Sequence, residues 1–209
     1  MSTVFARGPM SSPELPSPAE VLRERVADAI AVCEGLTQDS VIAVVEAVTK
    51  DTVESLENGG KVLLCGNGGS SADAQHLAAE LIGRFCLDRR PLPAIALSDN
   101  VAAITAIGND YSYEDVFVRG VRAFGQSGDV LIGLSTSGTS KNVVAAFEAA
   151  NDIGLVTVAF VSSSDCVMAR LATHVVCVNG PNTARIQEGH MLVGHTIFEL
   201  IERELCLPS

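Results

Sequence analysis

Five short runs in this chain, KVLLCG (61–66), PAIAL (93–97), DVLIGLS (129–135), LVTVAFV (155–161) and HVVCV (174–178), are apolar on nearly every residue and are separated by segments of helical spacing. A strand with one wet face alternates apolar and polar residues, whereas a strand covered on both faces is apolar throughout. The connections are long enough for crossover helices, which parallel strands require. The pattern therefore predicts a three-layer α/β fold, a five-stranded parallel sheet with helices on both sides. Upstream, Val21, Leu22, Val26, Ile30 and Val32 keep a helical spacing from Ala19 to about Gly35. A second helix, with Thr37 as its N-cap, runs through Val41, Val44, Val45, Val48, Val53 and Leu56 until Gly59-Gly60 stops it. A long final helix is expected from about Ala184 to Leu205, with Met191, Leu192, Ile197, Phe198, Leu200 and Ile201 on its apolar side. Residues 1–18 hold four of the eight prolines among Ser and Gly and read as a flexible tail, leaving 19–209 as one domain.

Charge narrows the function classes. Fourteen Lys and Arg against twenty-five Asp and Glu leave a formal charge of -11, a field that repels nucleic acid and anionic membranes. Aromatic residues make up 4% of the chain and Trp is absent, so platforms for stacking bases are not expected either. No segment approaches the roughly 18 apolar residues of a membrane span. The six cysteines are scattered without C-x-x-C or zinc-finger spacing, which fits reduced thiols in a soluble, cytoplasmic protein. Such a chain can hold an anion only with local groups.

Two loops offer them. The first strand ends in Gly66-Asn67-Gly68-Gly69-Ser70-Ser71 before a helix, at the sheet edge where parallel α/β proteins bind ligands. Ser71 stands where a dinucleotide fingerprint needs Gly, and no Gly-Lys-Ser/Thr follows, so a nucleotide cofactor is disfavoured. The third strand ends in Ser135-Thr136-Ser137-Gly138-Thr139-Ser140, whose hydroxyls and helix-start N–H groups suit a phosphate. N-capping would use one of these hydroxyls and leave the other four unexplained.

The imidazoles form a second group. His76 and Glu80 are four residues apart and share a helix face, and RIQEGHMLVGH carries Gln187, Glu188, His190 and His195 within nine positions. A single helical His is more often a hydrogen-bonded or exposed residue than a ligand. On an ideal helix Glu188 lies roughly 20° from His195 and Gln187 about 80° away, so spacing alone favours Glu188. Ser98-Asp99-Asn100 and Gly108-Asn109-Asp110 read as caps and turns. No function follows from the spacing of His174, Arg84, Arg89 or Arg90.

Four motifs in order, GNGGSSADAQHLAAEL, LPAIALSDN with TAIGNDYSYEDVF, GDVLIGLSTSGTSKNV and TARIQEGHMLVGH, resemble the sugar isomerase (SIS) domain family, and within it the sedoheptulose 7-phosphate isomerase branch. The likeness spans about Thr37 to Leu205. It implies a flavodoxin-like SIS protomer, a homotetramer and active sites at subunit contacts. The implied reaction converts sedoheptulose 7-phosphate to D-glycero-D-manno-heptose 7-phosphate, the first step towards nucleotide-activated heptose. By the same resemblance phosphate falls to Ser135, Thr136, Ser137 and Ser140, and sugar contacts fall to Asn67, Gly68, Ser70, Asp99 and Gln187. The catalytic pair falls to Glu80 and His195. Zinc, which some members of the branch hold, would take His76, Glu80, Gln187 and His195, so the resemblance favours Gln187 over Glu188. Part of the family has Asp where this chain has Ala184. The family also contains a non-catalytic tetrameric regulator that binds the replication initiator, and isomerases or binders of other sugar phosphates. The regulator branch lacks counterparts of Glu80 and His195, both of which stand here.

An aldose-ketose isomerisation moves a proton between C1 and C2 through an enediolate. Glu80 suits the carbon proton and His195 the oxygen proton. A bound metal would polarise the carbonyl instead and would make a coordinated carboxylate a weaker base.

Overall fold

In the computed structural model, which describes residues 15–206, the elements run in the order α1 (Pro18–Gly35), α2 (Asp39–Glu57), β1 (Val62–Gly66), α3 (Gly69–Ile82), β2 (Ala94–Ala96), α4 (Val101–Asp110), α5 (Asp115–Phe124), β3 (Val130–Leu134), α6 (Lys141–Ile153), β4 (Val156–Val161), α7 (Val167–Leu171), β5 (His174–Cys177) and α8 (Thr183–Cys206). Every pairing is parallel and the strand order is β2-β1-β3-β4-β5. The three-layer parallel sheet expected from the apolar runs is thus present, each strand trimmed by a residue or two where pairing ends. Most of the expected tail, residues 1–14, lies outside the described residues.

Successive side chains of a strand point to opposite faces, and here both faces are dry. Val62, Leu64, Val130, Ile132, Val158 and Phe160 pack with Val48 and Leu56 of α2, Leu77 and Leu81 of α3, and Ile197, Phe198 and Ile201 of α8. Their neighbours Leu63, Leu131, Ala159 and Val161 pack on the other side with Val116, Phe117 and Val121 of α5 and Val143, Ala146 and Phe147 of α6. Gly133 in central β3 has no room for a side chain, since a Cβ there would sit 2.3 Å from the Phe147 ring. At the opposite end of the sheet from the loops described below, buried Asp129 accepts from the Lys61 N–H at 2.9 Å and pairs with its Nζ at 2.6 Å, tying β1 to β3.

Two helix starts differ from the expectation. Pro18 opens α1 at N1 because Ser17 forms a capping box with Glu20, so the helix begins inside the expected tail. Gln38 rather than Thr37 caps α2, and the Thr37 hydroxyl donates to the Glu34 carbonyl at 2.8 Å, closing α1 instead. All six cysteines are free, and burial pushes the Cys65 thiol up to about 12, which leaves it inert. Among the described residues no helix is long and apolar enough to cross a membrane.

His190 of α8 is fully buried, its Nε2 3.2 Å from the Val161 carbonyl and its ring edge-on to Phe160. Burial pushes its pKa down to about 4, against the pull of that carbonyl. The unfolded chain, with an imidazole near 6.5, binds the proton more tightly, so this stability is full above about pH 6.5 and is lost as pH falls through the folded value. The slope is about 1.4 kcal/mol per pH unit from this one group. Thermal melts should show a lower Tm at pH 5 than at pH 7, with a flatter dependence in His190→Gln. An unchanged dependence in that variant would place the acid lability in another residue.

Candidate active site

The turn between β1 and α3 is shaped by Gly68, at φ 55°, and by Gly69, whose missing side chain admits the Gln187 amide from α8. A Cβ on Gly69 would lie 2.4 Å from Gln187 Nε2. That nitrogen donates to Ser70 Oγ at 3.4 Å, with Ser70 itself buried. Asn67 and Asn142 exchange amide hydrogen bonds at 2.9 and 2.8 Å, and the Tyr113 hydroxyl donates to Asn67 Oδ1 at 3.0 Å. These contacts fasten the β1 loop to the first turn of α6. Gly66, Asn67, Gly68, Ser71, Ser98 and Tyr113 contribute to the lining of a 190 Å³ cavity. Asp99 stands exposed at the end of β2, with its N–H bonded to the Ala96 carbonyl. The neighbouring Asn100 caps α4 through Ala103, as turn chemistry predicts.

Next to this loop, because β3 pairs with β1 in register up to Gly66 and Leu134, lies the hydroxyl loop. Ser135 Oγ meets Ser140 Oγ at 2.9 Å and Ser137 Oγ at 3.4 Å, and the Thr139 N–H donates to Ser137 Oγ at 3.3 Å. Ser140 occupies the N-cap of α6 without a side-chain capping bond, so the plain capping alternative does not account for its hydroxyl. Gly138 makes the turn at φ 63°, and a Cβ there would strike Cys166 Sγ at 2.3 Å. The hydroxyls of Ser135, Ser137 and Ser140 therefore gather at the start of a thirteen-residue helix, an arrangement that suits an anion without a cation.

The third cluster joins α3 to α8. His76 Nε2 lies 3.0 Å from His195 Nε2 and 3.2 Å from Glu80 Oε1. One atom from each of His76, Glu80 and His195 falls within 4.8 Å of the others, a spacing that suits a divalent cation with two imidazole nitrogens and a carboxylate oxygen. His195 has its pKa lowered, first by burial and then by the adjacent His76, against the opposing charge of Glu80. A neutral imidazole at neutral pH follows, able to accept a proton at one nitrogen. Gln187 and His195 line one 550 Å³ cavity with Asp73, Ala184, Glu188, Met191 and Leu192. Glu188, favoured by helix geometry, is taken by an ion pair with Arg185 on the same helix.

Residues that spacing did not single out also lie here. Asp73 lines the cavity with one carboxylate oxygen buried and without a hydrogen-bond partner, and burial raises its pKa against the influence of His76. Asn142 and Tyr113 carry the loop-to-loop bonds, and Phe85 stacks on His195 with ring centroids 5.3 Å apart and planes 14° apart.

The SIS domain family matches residues 26–162. The phosphoheptose isomerase of Clostridium acetobutylicum is 44% identical over 170 residues, covering 81% of this chain and 87% of that protein. The phosphoheptose isomerase of Helicobacter pylori is 52% identical over 151 residues, 72% of this chain and 79% of its own. This chain belongs to the SIS domain family, in its phosphoheptose isomerase branch. The solved phosphoheptose isomerase of Francisella tularensis superposes on this SIS domain with a TM-score of 0.86 at 34% identity, covering 90% of this chain and all of that one. That of Neisseria gonorrhoeae gives 0.83 at 37% identity, covering 89% and 99%.

Proposed function

We propose that this protein isomerises sedoheptulose 7-phosphate to D-glycero-D-manno-heptose 7-phosphate, in the cytoplasm and as a homotetramer, in the biosynthesis of nucleotide-activated heptose. The observation that carries the reading is the meeting of Glu80 with His76 and His195, within a chain whose relatives over four-fifths of its length are phosphoheptose isomerases. The non-catalytic regulator of the family would have no use for that cluster.

In this reading Ser135, Thr136, Ser137 and Ser140 hold the phosphate with the N–H groups that open α6. Asn67, Gly68, Ser70, Asp99 and Gln187 orient the sugar chain. The Glu80 carboxylate takes the proton from C1 and delivers it to C2, while His195 moves the proton between the C1 and C2 oxygens. Ala184 brings only a methyl group to the cavity where part of the family has Asp, so one sugar hydroxyl loses a carboxylate partner. Incubation of the pure protein with sedoheptulose 7-phosphate should give an aldose C1 resonance by NMR. A ketose that stays unchanged at high enzyme concentration would overturn the reading.

Zinc fits the site. His76, Glu80 and His195 would supply two nitrogens and an oxygen, with Gln187, which lines the same cavity as His195, as the fourth ligand. When bound, the ion would polarise the substrate oxygens. His76→Ala should therefore lower zinc content and activity together. Full activity after exhaustive chelation would leave Glu80 and His195 as a metal-free acid and base pair.

A further inference from the structure

Between α3 and β2 the chain passes through residues 83–93 without regular secondary structure, so its polar backbone needs other partners. A single side chain on α8 provides three. Glu202, fully buried, accepts the Phe85 N–H at 2.8 Å with one oxygen and the Cys86 and Leu87 N–H groups at 2.7 and 3.0 Å with the other. Arg89, its side chain 3% exposed, pairs with the same carboxylate at 2.8 Å. The guanidinium also reaches back to the end of α3, donating to the Leu81 carbonyl at 2.8 Å and to the Glu80 carbonyl at 2.8 Å. It thereby closes carbonyls that the helix end leaves open.

Both ends of this device lead to the isomerase cluster. Arg89 holds the backbone of Glu80, and Phe85, whose N–H is fixed by Glu202, lies face to face with the His195 imidazole. The edge of that imidazole meets His76, so its plane is set by Phe85 on one side and its direction by His76 on the other. A buried ion pair contributes little net stability over an apolar replacement, so stability alone gives a weak reason for this arrangement.

We propose that residues 83–93 form a positioning loop for the reaction, in which the Glu202–Arg89 pair sets Phe85 against the His195 ring and holds the Glu80 backbone. Phe85 and Arg89 are positioning residues and touch no reacting atom. The inference rests on the reading that Glu80 and His195 move the protons. A displacement of a reacting group by about 1 Å can cost ~10²-fold in rate, which gives the loop its leverage.

The test compares Phe85→Leu with Phe85→Tyr in the full-length protein as purified. Phe85→Leu should lower kcat by about 10- to 100-fold with KM, metal content and Tm close to wild type, and Phe85→Tyr, which keeps the ring, should restore kcat. In histidine-labelled protein at one fixed pH, loss of the stacked ring should move the His195 ring-proton resonance downfield in Phe85→Leu and leave it in place in Phe85→Tyr. A wild-type kcat in Phe85→Leu, or a His195 resonance that does not move, would overturn the proposal. If the wild-type chain fails to turn over sedoheptulose 7-phosphate, the reading of the reaction fails. The resonance still decides whether Phe85 sets the imidazole.

Discussion

Glu80→Gln and His195→Gln are each expected to lower kcat by about 10²- to 10⁴-fold, the usual contribution of a positioned general acid or base. Both substitutions keep size and hydrogen-bonding capacity, and both side chains are only half-buried rather than in the core, so folding should persist. The hydroxyl cluster proposed to hold the phosphate is a separate structure on the β3 loop. Binding of inorganic phosphate, measured by calorimetry, should therefore match wild type. Ser137→Ala should show the reverse pattern, a raised KM with kcat nearly unchanged, because its partner in this account is the unreacting phosphate. A Glu80→Gln enzyme within a few fold of the wild-type kcat would remove that carboxylate from the mechanism.

The second large effect concerns Glu202. Removing one member of a buried ion pair leaves the other charge uncompensated, and here three backbone N–H groups lose their acceptor as well. Glu202→Ala should cost about 3–5 kcal/mol, roughly a 10 °C fall in Tm for a chain of this size. An Arg89→Met/Glu202→Gln double variant should recover part of the loss, since neither buried charge remains. A Tm for Glu202→Ala indistinguishable from wild type would show that the loop is anchored by other contacts. The same group also adds to acid lability. Burial alone would raise the Glu202 pKa, but the Phe85, Leu87 and Cys86 N–H groups and Arg89 together hold it below the ordinary carboxylate value. Its contribution is accordingly present above about pH 4.3, and is lost as pH falls through the lower folded value.

Much of the architecture was legible because both faces of the sheet are covered. Runs such as VLLC and VAFV have no polar face to obscure their length, and only their ends moved by a residue or two. The hydroxyl loop was legible for a related reason, since five hydroxyls exceed what one helix cap consumes. Helix geometry favoured Glu188, which pairs with Arg185 one turn earlier, while the nearby Gly69 admits the Gln187 amide, and no spacing on α8 alone distinguishes the two. Arg89, Phe85 and Glu202 were not legible at all. They meet across more than one hundred residues of chain, and no local spacing marks a carboxylate that will accept backbone groups from a distant loop. The Asn67–Asn142 amide pair, between the β1 loop and the first turn of α6, is another case.

The central claim is that Glu80 carries a proton between C1 and C2 of a heptose 7-phosphate while His195 moves one between their oxygens. Turnover of sedoheptulose 7-phosphate in deuterium oxide, followed by NMR of the product, tests it most directly. The account predicts an aldose that carries solvent deuterium at C2, because the proton passes through an exchangeable side chain. An aldose with protium alone at C2, carried over from C1, would contradict passage through an exchangeable side chain and point to a hydride shift, and no aldose at all would mean that the site serves another reaction.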